Sequence, residues 1–158
     1  MRHLWEAGEF IRKLRNRARF GELSRADLRL LRLELKTSTA EFDWMARPAD
    51  VWAGNLPGHI RDRDVSMQAV RDAVVLREMF FATLSWIDSA EFRTFRQEAR
   101  EPPRLIISGR VTRDEPSVPR VSSPVMKAKL CGFQFQMDDG VLVPLDAGEG
   151  GAQFKVTA

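Results

Sequence analysis

Hydrophobic residues recur every three or four positions over residues 3–20, where Leu4, Ala7, Ile11, Leu14 and Ala18 form a stripe with Trp5 and Phe10 beside it. That period predicts an amphipathic helix, with Gly21 as its stop. Ser24-Arg25-Ala26-Asp27 has the form of a capping box opening a short helical turn. Beyond it the period drops to two. Leu31, Leu33 and Leu35 alternate with Arg32, Glu34 and Lys36, and after Thr37-Ser38-Thr39 the residues Ala40, Phe42 and Trp44 alternate with Glu41 and Asp43. A hairpin over 29–46 follows, with one continuous helix over 24–36 as its competitor.

Residues 47–63 hold two prolines and two glycines and no period, so an irregular segment is expected there. From Asp64 to Ile87 a wide apolar face (Ala69, Ala73, Leu76, Phe80, Leu84, Ile87, flanked by Met67, Val70, Val74 and Phe81) predicts the central helix of the core. Asp88 and Glu91 have capping-box spacing, and Phe92, Phe95 and Ala99 then share a helical face, so a short helix is expected before Pro102-Pro103. Residues 105–111 read as a strand, and Pro116, Pro119 and Pro124 as an extended connection. Cys131, Phe133, Phe135 and Met137 alternate with glutamines up to Asp139-Gly140, a hairpin turn, and Val141, Val143 and Leu145 return. Pro144 puts that return at a sheet edge, and Lys127 and Lys129 read as guards of an edge near 128–137.

The expectation is an α+β fold: an antiparallel sheet of four or five strands packed on one long helix. It divides into a basic amphipathic helix (1–23), one α+β domain (24–147) and a flexible tail (148–158).

Composition narrows the function. The chain has 158 residues, 44% hydrophobic and 30% charged, with mean hydropathy −0.31. No stretch approaches the roughly 20 apolar residues of a membrane-spanning helix, and the first residues lack the apolar run of a signal peptide. A single cysteine excludes an intramolecular disulfide and a cysteine-rich zinc site. A cytoplasmic location is expected. Net charge is +3, unevenly spread: residues 1–36 carry ten basic and five acidic groups, and residues 131–158 carry one and four.

Phosphate-binding glycine loops, the nucleophile elbow and the zinc-protease helix motif are all absent from the sequence. Neither a cofactor nor a metal is implied. Cys131 shares its alternating face with Phe133 and Phe135 and reads as core, Asp138-Asp139 as a turn, and Asp62 and Asp64 as partners of a helix N-terminus.

Two stretches invite binding. Arg12, Lys13, Arg15, Arg17 and Arg19 put five cations on eight positions of the first helix, suited to phosphates or to an acidic partner. Anionic lipid ranks last, because Glu6 and Glu9 interrupt the basic face. Trp44, Arg47, Trp52, Asn55, His59 and Arg61 gather ring systems and donors of the kind that anchor protein interfaces. The reading is a non-catalytic macromolecule-binding protein, an interaction or assembly factor with a protein partner. A nucleic-acid binder using the first helix is the alternative. A small enzyme with a pocket between helix and sheet, His59 serving as acid–base group, is the third.

Overall fold

The computed structural model describes residues 2–17, 29–48, 57–97, 100–114 and 123–145. Helix α1 spans Arg2–Arg17, and the predicted hairpin forms as strands β1 (Arg29–Leu35) and β2 (Thr39–Met45). Helix α2 (Gly58–Thr83) then crosses to strands β3 (Ser89–Arg96) and β4 (Arg104–Thr112). A short helix α3 (Pro124–Leu130) precedes strands β5 (Phe133–Gln134), β6 (Gln136–Asp138) and β7 (Val141–Val143). The main sheet has the order β1-β2-β3-β4-β5, and β6 and β7 make a separate two-stranded ribbon. The fold is α+β with a mostly antiparallel five-stranded sheet and one long helix, as expected.

Four features depart from the sequence reading. Residues 89–96 are a strand rather than a helix, because Ala90, Phe92 and Thr94 alternate with Glu91 and Arg93 and pair along the whole of β2. That pairing is parallel: a 26-residue helical crossover returns the chain to the end of the sheet where β2 began. The third departure is α3. Ser123 accepts a hydrogen bond from Met126 N, and Pro124 occupies the first turn, where its missing N–H costs nothing. Lys127 and Lys129 therefore lie in the last turn of a helix and not on a sheet edge.

The fourth departure is the extent of α2. It starts at Gly58 and ends at Thr83, so Asp62 and Asp64 fall inside it and supply no cap to its N-terminus. Its C-terminal end is closed instead by Arg113, whose guanidinium donates to the carbonyls of Phe81 (2.7 Å), Leu84 (2.5 Å) and Ile87 (2.6 Å). A cation on carbonyls at the negative end of a helix is favourable.

Alternation sorts the sheet into two faces. Ala40, Phe42 and Trp44 of β2, Ala90 and Phe92 of β3, and Ile107 and Val111 of β4 pack beneath α2. Phe80 of α2 sits edge-on to Phe92 (5.3 Å), and Phe42 lies against Phe92 at 5.0 Å. A bulge at Leu30–Arg32 shifts β1, so Leu30, Leu33 and Leu35 join this core. Leu31 turns to the other face with Met45, Phe95, Leu105 and Leu145.

The rest of that second face is charged. Asp43 takes two hydrogen bonds from Arg93, its register partner, both at 2.8 Å, and the pair is buried. One row further on, Glu34, Glu41, Glu91 and Arg110 stand side by side across four strands. Arg32 pairs with Glu34, and Arg32 and Lys36 each reach Glu41 at 3.2 Å. The hydrogen bond from Arg32, assisted by Lys36, outweighs desolvation and holds the Glu41 carboxyl below the ordinary glutamate value.

The Asp139-Gly140 turn forms between β6 and β7 with φ of 52° and 80°, the two positive values a tight two-residue hairpin needs. Arg63 of α2 donates to the Asp139 carbonyl (2.8 Å) and carboxylate (2.6 Å), and Leu142 N donates to Ser66 Oγ (2.9 Å), which ties the ribbon to α2. Gly21, the box at Ser24 and the tail from Asp146 lie outside the described residues.

Candidate partner-binding surface

Helix α1 docks by a face one step round from the one its stripe predicts. Phe10 is 0% exposed and lies edge-on to Phe80 (5.3 Å) and Phe42 (5.7 Å). Ala7 and Ile11 pack beside it. Glu6 is buried on the same side, accepting hydrogen bonds from Ser85 Oγ (2.8 Å) and Ser85 N (3.3 Å) beyond the end of α2. Lys13 turns inward too, with Nζ at 3.5 Å from Thr83 Oγ1. Burying Phe10 instead of Leu4 removes more apolar surface from water, which decides the phase of the helix.

Leu4, one turn before Ala7 on the same stripe, is nonetheless 76% exposed, and Trp5, on the side away from Phe10, is 70% exposed. Arg12 is exposed two turns further along. It pairs with Glu9, and its hydrogen bond holds the Glu9 carboxyl below the ordinary value while the Arg12 guanidinium is raised in turn. The acids that interrupt the basic face in the sequence are thus disposed of: one is buried against Ser85 and the other is paired with Arg12. What α1 offers outward is an aromatic ring, a leucine and a guanidinium.

The other predicted site residues scatter. Arg15 and Arg17 lie in the last turns of α1, while Arg19, Trp52 and Asn55, and the side chains of Arg15 and Arg17, are outside the described residues. Trp44 is fully buried under α2. Arg47 is buried as well, gripping Asp72 of α2 through Nε (2.8 Å) and Nη2 (2.5 Å), with Gln68 donating to the same carboxylate at 2.8 Å. Two parallel N–H to O bonds fix the end of β2 on the helix. His59 is exposed and Arg61 half-buried, both in the first turns of α2.

Thr83, beside α1, is 24 residues from His59 along α2, about 36 Å at the helical rise. The two groups of predicted contact residues therefore cannot form one surface. The space between α2 and the sheet is filled by Phe10, Phe42, Phe80 and Phe92. Glu6 and Phe10 were missed as docking residues. The signal for them was the alternative stripe Glu6, Phe10, Lys13, which needs a buried carboxylate to be believed.

Two further features are part of this geometry. Met126 and Leu130 are exposed on α3, and no group of three or more metal-ligating side chains gathers among the described residues. No described helix is long and apolar enough to cross a membrane. No family model, curated protein or solved structure matches this chain.

Proposed function

We propose that this protein is a non-catalytic interaction domain that docks another protein on the outward face of α1. Leu4 and Trp5 enter an apolar cleft of the partner, and Arg12 meets a carboxylate at its rim. The observation that carries this reading is the exposure of Trp5, and of Leu4 beside it, on a helix held to the core by Phe10 and Glu6. A solvated helix has no use for a tryptophan there, whereas Trp and Arg are the residue types that dominate interface energetics.

Lipid fits less well. The apolar stripe of α1 is spent on the core through Ala7, Phe10 and Ile11, and two outward residues do not make the continuous apolar face an interfacial helix inserts. Nucleic acid fits less well too, since Lys13 turns toward Thr83 and Arg12 is paired with Glu9, which dilutes the charge that phosphates would meet.

The test compares two immobilised baits, the wild-type chain and Leu4→Ser/Trp5→Ser, in nuclease-treated extract of the source cells. A protein retained stoichiometrically by the first and lost from the second, and binding the purified chain more weakly as salt rises, is the expected result. The same proteins on both baits would overturn the reading. So would binding of the purified wild-type chain to vesicles or to nucleic acid alone, or dimerisation of the wild type that the double variant abolishes.

A further inference from the structure

The charged face of the sheet holds a groove of about 270 Å³, lined by Lys36, Thr39, Glu41, Ser89, Glu91 and Arg110, with Ala40 and Ala90 at its floor. It is distinct from the α1 surface and independent of the proposed function. Its volume is at the small end of ligand clefts, which run from roughly 300 Å³ upward.

The groups around it are unequally satisfied. Glu41 is answered by Arg32 and Lys36. Glu91 stands directly beside Glu41 on the neighbouring strand, and like charges in that relation repel. Arg110 stands directly beside Glu91 on its other flank. Yet neither Glu91 nor Arg110 makes an ion pair among the described residues, and both are exposed. The hydroxyls of Thr39 and Ser89, also register partners, take no side-chain hydrogen bond there either. The groove thus presents one free carboxylate, one free guanidinium and two free hydroxyls on three adjacent strands.

We propose that this groove binds a free α-amino acid with a polar side chain. Opposite residues on neighbouring strands have Cβ atoms about 5 Å apart, so Glu91 and Arg110 face a ligand whose positive and negative groups are close neighbours. An α-amino acid has that arrangement. Its ammonium donates to the Glu91 carboxylate, and its carboxylate accepts two N–H bonds from Arg110, the geometry guanidinium groups favour. The side chain then runs across β3 and β2 toward Ser89, Thr39 and the Lys36–Glu41 ion pair, where the lining is mostly polar. An ammonium beside Glu91 also relieves its repulsion with Glu41.

The test is an NMR titration of the isotopically labelled full chain with each free proteinogenic amino acid at millimolar concentration. The expected result is saturable shifts confined to residues 36–41, 89–91 and 110, largest for amino acids with polar side chains. The N-acetyl amide of the best ligand, which lacks both charges, should leave those signals unmoved. Glu91→Gln and Arg110→Gln should each weaken binding about tenfold or more, the loss of one charge-assisted contact. Both positions are exposed, so each variant should fold and keep close to wild-type stability. Absence of shifts with every amino acid, equal binding of the blocked ligand, or wild-type affinity in Arg110→Gln would overturn the proposal.

Discussion

Replacing Phe10 by alanine separates a docked α1 from a merely adjacent one. The ring is 0% exposed and makes edge-on contacts with Phe42 and Phe80 at 5.7 and 5.3 Å. Truncating a buried phenylalanine costs about 3–5 kcal/mol, combining lost transfer energy with the cavity left behind. For a chain of this size each kcal/mol moves the melting temperature by about 2–4 °C, so a fall of about 6–20 °C is expected. Trp5→Ala, five residues earlier in α1 but 70% exposed, should stay within about 0.5 kcal/mol of wild type. Urea and thermal unfolding followed by circular dichroism measure both variants. A Phe10→Ala loss below about 1 kcal/mol, or an equal loss from Trp5→Ala, would refute the orientation of α1 and with it the exposure of the proposed surface.

Asp72→Ala should cost about 3–5 kcal/mol in the same assay, because it removes the carboxylate that answers the buried Arg47 guanidinium, whereas Arg47→Met/Asp72→Leu should recover most of that loss. Gly109→Ala should lower stability by about 1–3 kcal/mol, since a Cβ there would lie 2.4 Å from Gly132 O and 2.9 Å from Phe133 Cα, both backbone atoms of the neighbouring segment. The pairing of Glu41 makes stability depend on pH. Its carboxyl is depressed in the folded chain by the hydrogen bond from Arg32 and by Lys36, so its contribution is present above the unfolded-state value and is lost as pH falls through the lower folded one. Thermal melts of wild type and Glu41→Gln between about pH 6 and pH 3 should therefore converge toward the acid end. Curves that stay parallel throughout would contradict it.

Much of the fold is legible in the sequence because its period is strong. The apolar face from Ala69 to Leu84 forms the long helix, the alternation on either side of Thr37-Ser38-Thr39 forms the hairpin and not its helical competitor, and the Asp139-Gly140 turn has the backbone its residues demand. Residues 88–99 mislead because Phe92 and Phe95 are three apart. In the strand Phe92 packs under α2, while Phe95 belongs to the opposite cluster with Met45 and Leu105. The alternation of Ala90 and Phe92 with Glu91 and Arg93 is the competing local signal, and the burial of Phe95 on the other face obscures it. The parallel pairing of β2 with β3 is a long-range fact and leaves no local trace.

The sites divide in the same way. The cations of α1 are visible in sequence, but their directions depend on whether Phe10 or Leu4 is buried. That in turn rests on Glu6 finding Ser85, which is 79 residues away. Arg47 reads as an interface anchor until Asp72 claims it. The row Glu34, Glu41, Glu91, Arg110 exists only once four strands are in register.

The most direct measurement of the central claim is hydroxyl-radical footprinting of the chain alone and in complex with the partner that its wild-type form retains. Free in solution, Leu4 and Trp5 should be among the most readily oxidised side chains. In the complex both should be protected, while Ile60, Met126 and Leu130, which are also exposed, keep their reactivity. Unchanged oxidation of Trp5 in the complex, with protection at Met126 and Leu130 instead, would contradict the account and move the interface to α3.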